Sequence, residues 1–142
     1  MKLEKQLILN TQPTLNSRVY PLAVLEQIRD QINSNDASVN IGTFEYPEGL
    51  EFSLSKAAFT YSNAIIENDC LYADIQILST PDGEKIKYQL EVGVSSRVFR
   101  PAGQATLDDE LSDSQLTVGG DYRLIAIASI SKEEDAVQTN EE

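Results

Sequence analysis

The chain has 142 residues, with 23 Asp and Glu against 11 Lys and Arg, a formal charge of −12 and 41 % hydrophobic residues. Those are the proportions of one folded domain, and the acidity argues against nucleic acid or anionic lipid as partners. With no histidine and a single cysteine, Cys70, His-activated nucleophiles, His-containing zinc sites, four-cysteine metal sites and an internal disulfide are all excluded.

No apolar run approaches the roughly 18–20 residues a membrane span needs, and Met1 to Asn10 lacks the pattern of a secretory leader. Leu3 to Leu9 reads as a strand that breaks at Asn10-Thr11-Gln12-Pro13. Leu22, Leu25, Ile28 and Ile32, at three- and four-residue spacing, predict a helix with Pro21 at its first position and Asn33 to Asp36 as its stop. Val39 to Phe44 predicts a short strand, followed by a turn at Glu45-Tyr46-Pro47-Glu48-Gly49. Ala57 to Ile66 and Leu71 to Leu78 predict a strand pair joined at Glu67-Asn68-Asp69; in the second strand Leu71, Ala73, Ile75 and Ile77 share one face.

Thr80-Pro81 suits a helix start and Gly93 a helix stop, yet Ile86, Tyr88, Leu90 and Val92 also alternate with period two. Periodicity alone admits both. Val94 to Phe99 predicts a strand, and Pro101 to Gly120, with Asp108-Asp109-Glu110 and Asp113, an acidic exposed loop. That acidic run lacks the ligand spacing of a calcium loop. Tyr122 to Ser131, apolar on both faces, predicts a central strand. Residues 132–142 read as a disordered acidic tail, which leaves one domain over residues 1–131.

Three stretches carry a family likeness. They are Asn16-Ser17-Arg18-Val19-Tyr20-Pro21 with Val24-Leu25, then Gly42-Thr43-Phe44-Glu45-Tyr46-Pro47, then Thr80-Pro81-Asp82-Gly83 with Gly93-Val94-Ser95-Ser96-Arg97. In order and approximate spacing the set resembles the prohead (procapsid) maturation proteases of tailed phages, which share a fold with herpesvirus assemblin. The resemblance implies an α+β, β-rich fold: an assemblin-like β-barrel with one or two peripheral helices. It also implies a helix from Pro81 to Val92.

The same resemblance places the family's general-base histidine on Tyr46, its nucleophilic serine on Ser95 or Ser96, its arginine on Arg97 and its late-strand acid near Ala128. Val98 stands where a glycine usually follows that arginine. Base and orienting acid are therefore both replaced. A phenol, with a reference pKa of about 10, is a poor base near neutral pH, and a serine hydroxyl is a weak nucleophile without one. Lys85 or Lys87 beside Ser95 would make a Ser-Lys dyad only if desolvated, whereas both flank a helix that faces solvent.

The expectation is a non-catalytic, prohead-protease-like structural protein of a tailed-phage head, a capsid decoration or cement protein located in the virion and made in the bacterial cytoplasm. The alternatives are an active, atypical serine maturation protease, or an inactive homologue confined to the assembly core. Expected partners are the major capsid protein or other head proteins, with a homo-oligomer allowed and no cofactor or metal. Docking is assigned to Leu7 and Leu9 of the first strand and to Asp108, Asp109 and Glu110 of the acidic loop.

Overall fold

Leu71, Ala73, Ile75 and Ile77 are all buried, as their alternation requires, and they anchor the middle of the molecule. The computed structural model describes residues 1–15, 18–35, 40–46, 56–92, 97–105, 107–108, 116–135 and 137. In it β5 (Cys70–Ile77) pairs antiparallel with β4 (Ala57–Glu67) and with β1 (Lys2–Asn10). The β4–β5 turn is Asn68-Asp69, both at positive φ (52° and 62°), the left-handed pair that a two-residue hairpin favours. β3 (Ile41–Phe44) continues the sheet from β4 and runs parallel to β9 (Arg123–Ser131), which pairs antiparallel with β6 (Arg97–Gln104). The order is β1-β5-β4-β3-β9-β6.

Two of the bulges in this sheet are tied by one carboxylate. Lys5 on β1 and Asn63 on β4 both sit at φ 51°, where the register shifts against β5. Asp74 lies between them on β5: its Oδ1 accepts from the Lys5 amide and its Oδ2 from the Asn63 side chain, each at 3.0 Å. These hydrogen bonds hold the Asp74 carboxyl below its usual range, the Lys5 amide contributing most. A second side chain repairs the β4 bulge. Asn33 donates to the Ala64 carbonyl and accepts from its amide, both at 2.9 Å, in place of a strand partner.

Asn33 ends α1 (Leu22–Asn33), whose buried face is Val24, Leu25, Ile28 and Ile32. Leu22 is exposed, so Val24 takes the place that the sequence spacing gave it. Pro21 also differs by one position: at φ −60° and ψ 155° it is extended and caps the helix from outside. The segment that periodicity left ambiguous is a helix, α2 (Pro81–Val92). Thr80 caps it, its Oγ1 accepting from the Gly83 amide at 3.0 Å and donating to the Ala57 carbonyl. Gly83 has to be glycine. A Cβ there would stand 2.0 Å from the Leu78 carbonyl oxygen.

Two expectations for the later chain are corrected. Residues 101–104, assigned to an exposed loop, continue β6; Pro101 is tolerated because β6 is a sheet edge and its missing amide leaves no ladder bond unmade. Further along, β7 (Leu107–Asp108) and β8 (Leu116–Val118) form a small sheet with β2 (Arg18–Val19). The tail also starts in ordered form, with a 3-10 turn at Lys132–Glu134 and Val137 packed on the core.

The tail closes the curled sheet. Although β1 and β6 are its two edges, curvature brings them alongside each other. Arg100 spans the seam, donating from Nη1 to the Leu7 carbonyl at 2.7 Å and from Nε and Nη2 to both oxygens of Asp135 at 2.8 and 2.7 Å. Inside, Phe59 and Phe99 meet edge to face at 5.1 Å, fully excluded from water. The result is a curled half-barrel against which α1 and α2 pack.

Candidate functional site

The ends of β3 and β9 and the start of β6 converge because β3 and β9 are parallel: Thr43 lies opposite Ala128, and Phe44 opposite Ser129. β6 runs the other way, so its first residue, Arg97, faces Ser131. Three segments far apart in sequence therefore deliver Glu45, Tyr46, Ala128, Ser129 and Arg97 to one corner.

Arg97 organises that corner. Its side chain is only 4 % exposed, and Nη2 donates to Glu45 Oε2 at 2.7 Å and to the Ser129 carbonyl at 2.8 Å. Nε reaches the Ser129 hydroxyl at 3.3 Å, and the guanidinium lies over the Phe44 ring at 4.3 Å. Glu45 is held in place by its own backbone. Its amide donates to the Ser129 carbonyl at 2.8 Å, its carbonyl accepts from Thr43 Oγ1 at 2.6 Å, and it sits at φ 81°. A buried guanidinium needs a carboxylate and several acceptors, and these residues supply them. Two of its three nitrogens are thereby committed to the fold.

Tyr46 follows directly and is 47 % exposed. Ala128 is fully buried and offers no polar group where an orienting acid would stand. Ser95 and Ser96 lie outside the described residues. Lys85 also approaches this corner, its Nζ 5.5 Å from the Phe44 ring, but it pairs with Asp82 at 3.1 Å and its side chain is 59 % exposed. That is not the dry setting a lysine base requires. Among the described residues no three His, Cys, Asp or Glu side chains cluster where a metal would bind.

Of the docking residues, Leu9 is corrected: it is 1 % exposed and belongs to the core. The register shift between Leu7 and Leu9 makes Ile8, Leu9 and Asn10 all buried in succession, which alternation does not anticipate. Leu7 is half-buried, its carbonyl taken by Arg100. Asp108 is in β7, and Asp109 and Glu110 lie outside the described residues.

Sequence reasoning missed Glu45 and Ser129 as the partners of Arg97. The one available signal was Ser129 itself, a lone hydroxyl in the apolar run Ile127-Ala128-Ser129-Ile130, which cannot be buried without a partner.

No family model matches the chain, and no curated protein sequence matches it. Among solved structures the chain is similar to the capsid assembly protease of bacteriophage T4, at 16 % sequence identity and a TM-score of 0.68. The match covers 91 % of this chain and 96 % of that one. The fold is therefore prohead-protease-like, β-rich with two helices.

Proposed function

We propose that this chain is a non-catalytic, protease-fold protein of a tailed-phage head, binding capsid subunits as a decoration or cement protein in the virion. Its kinship in fold to a capsid assembly protease supports the setting. The observation that carries the loss of catalysis is the Arg97 corner. There the guanidinium is bonded to Glu45 and Ser129, a phenol follows Glu45, and alanine occupies the late-strand position. The chain has no histidine anywhere to take a proton from a serine hydroxyl. A broken triad that keeps only its oxyanion contacts retains on the order of a thousandfold over water, too slow for processing a capsid.

In this reading the residues that dock are Leu7 on β1 and Asp108, Asp109 and Glu110. Incubation of the pure protein with the cognate major capsid protein should leave that protein intact on a gel. Cleavage that disappears in Ser95→Ala or Ser96→Ala would overturn the proposal. Neutralising Asp108, Asp109 and Glu110 together should weaken sedimentation with capsids mainly at low salt, where screening is least.

A further inference from the structure

At the far end of β6 and β9, six residues or about 20 Å along the strand from Arg97, a cavity of about 650 Å³ opens beside the small sheet. Two arginines, Arg18 and Arg123, line it with Tyr20, Val118 and Tyr122, and one carboxylate, Asp121, stands on the same lining. It lies where β6 bulges between Ala102 and Gly103, and Gly103 is part of its lining. A Cβ there would lie 2.6 Å from the Tyr122 hydroxyl oxygen, so any larger residue would displace the phenol. Tyr122 is 7 % exposed and meets Tyr20 edge to face at 6.1 Å, which makes a firm aromatic wall. Gln31 of α1 fixes this wall from behind, donating to the Tyr122 carbonyl and accepting from the Leu124 amide.

The arginines are the telling feature. The chain has five: Arg29, Arg97 and Arg100 each pair with a carboxylate, in a protein where acids outnumber bases two to one. Arg18 and Arg123 have no carboxylate partner among the described residues, and both line this cavity.

We infer that the cavity is a binding site for a peptide segment of a partner protein that carries one or two carboxylates. Two guanidinium forks match carboxylate geometry, and the tyrosine rings and Val118 give the flanking chain an apolar and aromatic surface. Gly103 and Gln104 belong to an edge strand of the main sheet, which can pair with the main chain of an extended segment. The volume suits a few residues rather than a folded surface. A net charge of −12 sets the upper limit on the ligand: a polyanion such as nucleic acid would be repelled by the remaining surface. This inference is independent of the capsid assignment.

The test is an amide NMR titration of the full isotopically labelled chain with a capped hexapeptide of alternating alanine and glutamate. Its alanine–glutamine counterpart and inorganic phosphate serve as controls. Saturable shifts confined to Gly103 to Ala105 and Asp121 to Arg123 are expected with the glutamate peptide at roughly millimolar concentration or below. The glutamine peptide, and the variants Arg18→Gln and Arg123→Gln, should bind at least about tenfold more weakly. Absence of saturable shifts, or equal binding of the two peptides, would overturn the inference, and the comparison of peptides needs no variant to fold. Equal shifts with phosphate at the same concentration would also overturn it, because the site would then read bare anionic charge.

Discussion

The two ends of the β6–β9 ribbon use arginine in opposite ways. At the Arg97 end the guanidinium is buried, bonded to Glu45 and Ser129, and laid on Phe44. At the other end Arg18 and Arg123 line a cavity together with Asp121, and neither arginine is in an ion pair among the described residues. Arg100, midway along β6, is the extreme case of commitment, with four hydrogen bonds and a nearly buried Asp135. In an acidic chain a paired arginine is scaffold. An unpaired one beside a cavity is available to a partner. The Arg97 end is thus the closed one and the Arg18–Arg123 end the open one.

The largest effect should come from the middle of the ribbon. Asp135→Asn leaves the Arg100 guanidinium buried without its carboxylate and should lower unfolding stability by about 3–5 kcal/mol. Chemical denaturation measures this, and a loss under about 1 kcal/mol would mean that the seam is not held by this pair.

Alkali should act next, through the buried tyrosines of the open end and its neighbouring core. Burial pushes Tyr61 up to about 12 and raises Tyr122 and Tyr20 as well. Each phenol ionises more readily in the unfolded chain, so their contribution is complete below about pH 10 and falls as pH rises through the folded values. Tyr61 alone should cost about 2–3 kcal/mol between pH 10 and 12, visible as a falling melting temperature that Tyr61→Phe makes shallower. An unchanged slope in that variant would remove Tyr61 from the explanation.

Glu45→Gln keeps the shape of the closed corner and removes its charge. Because Glu45 is 40 % exposed, solvent offsets part of the loss, and about 1–2 kcal/mol is expected from urea unfolding. Arg18→Gln and Arg123→Gln should change stability by less than about 0.5 kcal/mol, since neither holds the fold together. A destabilisation as large as that of Glu45→Gln would erase the contrast between the two ends.

Much of this architecture was legible in the chain, for local reasons. β5 follows from strict alternation, the β4–β5 turn from Asn68-Asp69, and the start of α2 from Thr80, Pro81 and Gly83 within four residues. What stayed hidden depends on distant partners. Asn33 finds its role 31 residues away at Ala64, and Asn40 is buried because it donates to the Ile32 and Tyr61 carbonyls. Pro101 and the acidic stretch after it suggested a loop. A proline is harmless on an edge strand, but edge position is a property of the whole sheet. The corner itself was half legible: the resemblance pointed to Tyr46, Arg97 and Ala128, whereas Glu45 and Ser129 emerge only when β3 and β9 lie side by side. The Arg18–Arg123 cavity joins residues more than a hundred positions apart, and no local pattern announces it.

Mass spectrometry of purified mature particles, set against proheads of the same phage, tests the structural role most directly. The expected result is this chain at a constant ratio to the major capsid protein in both, with the head proteins around it cleaved to the same extent whether or not Ser95 and Ser96 are replaced by alanine. Its absence from mature particles, or head-protein cleavage that stops with either replacement, would contradict a non-catalytic capsid protein.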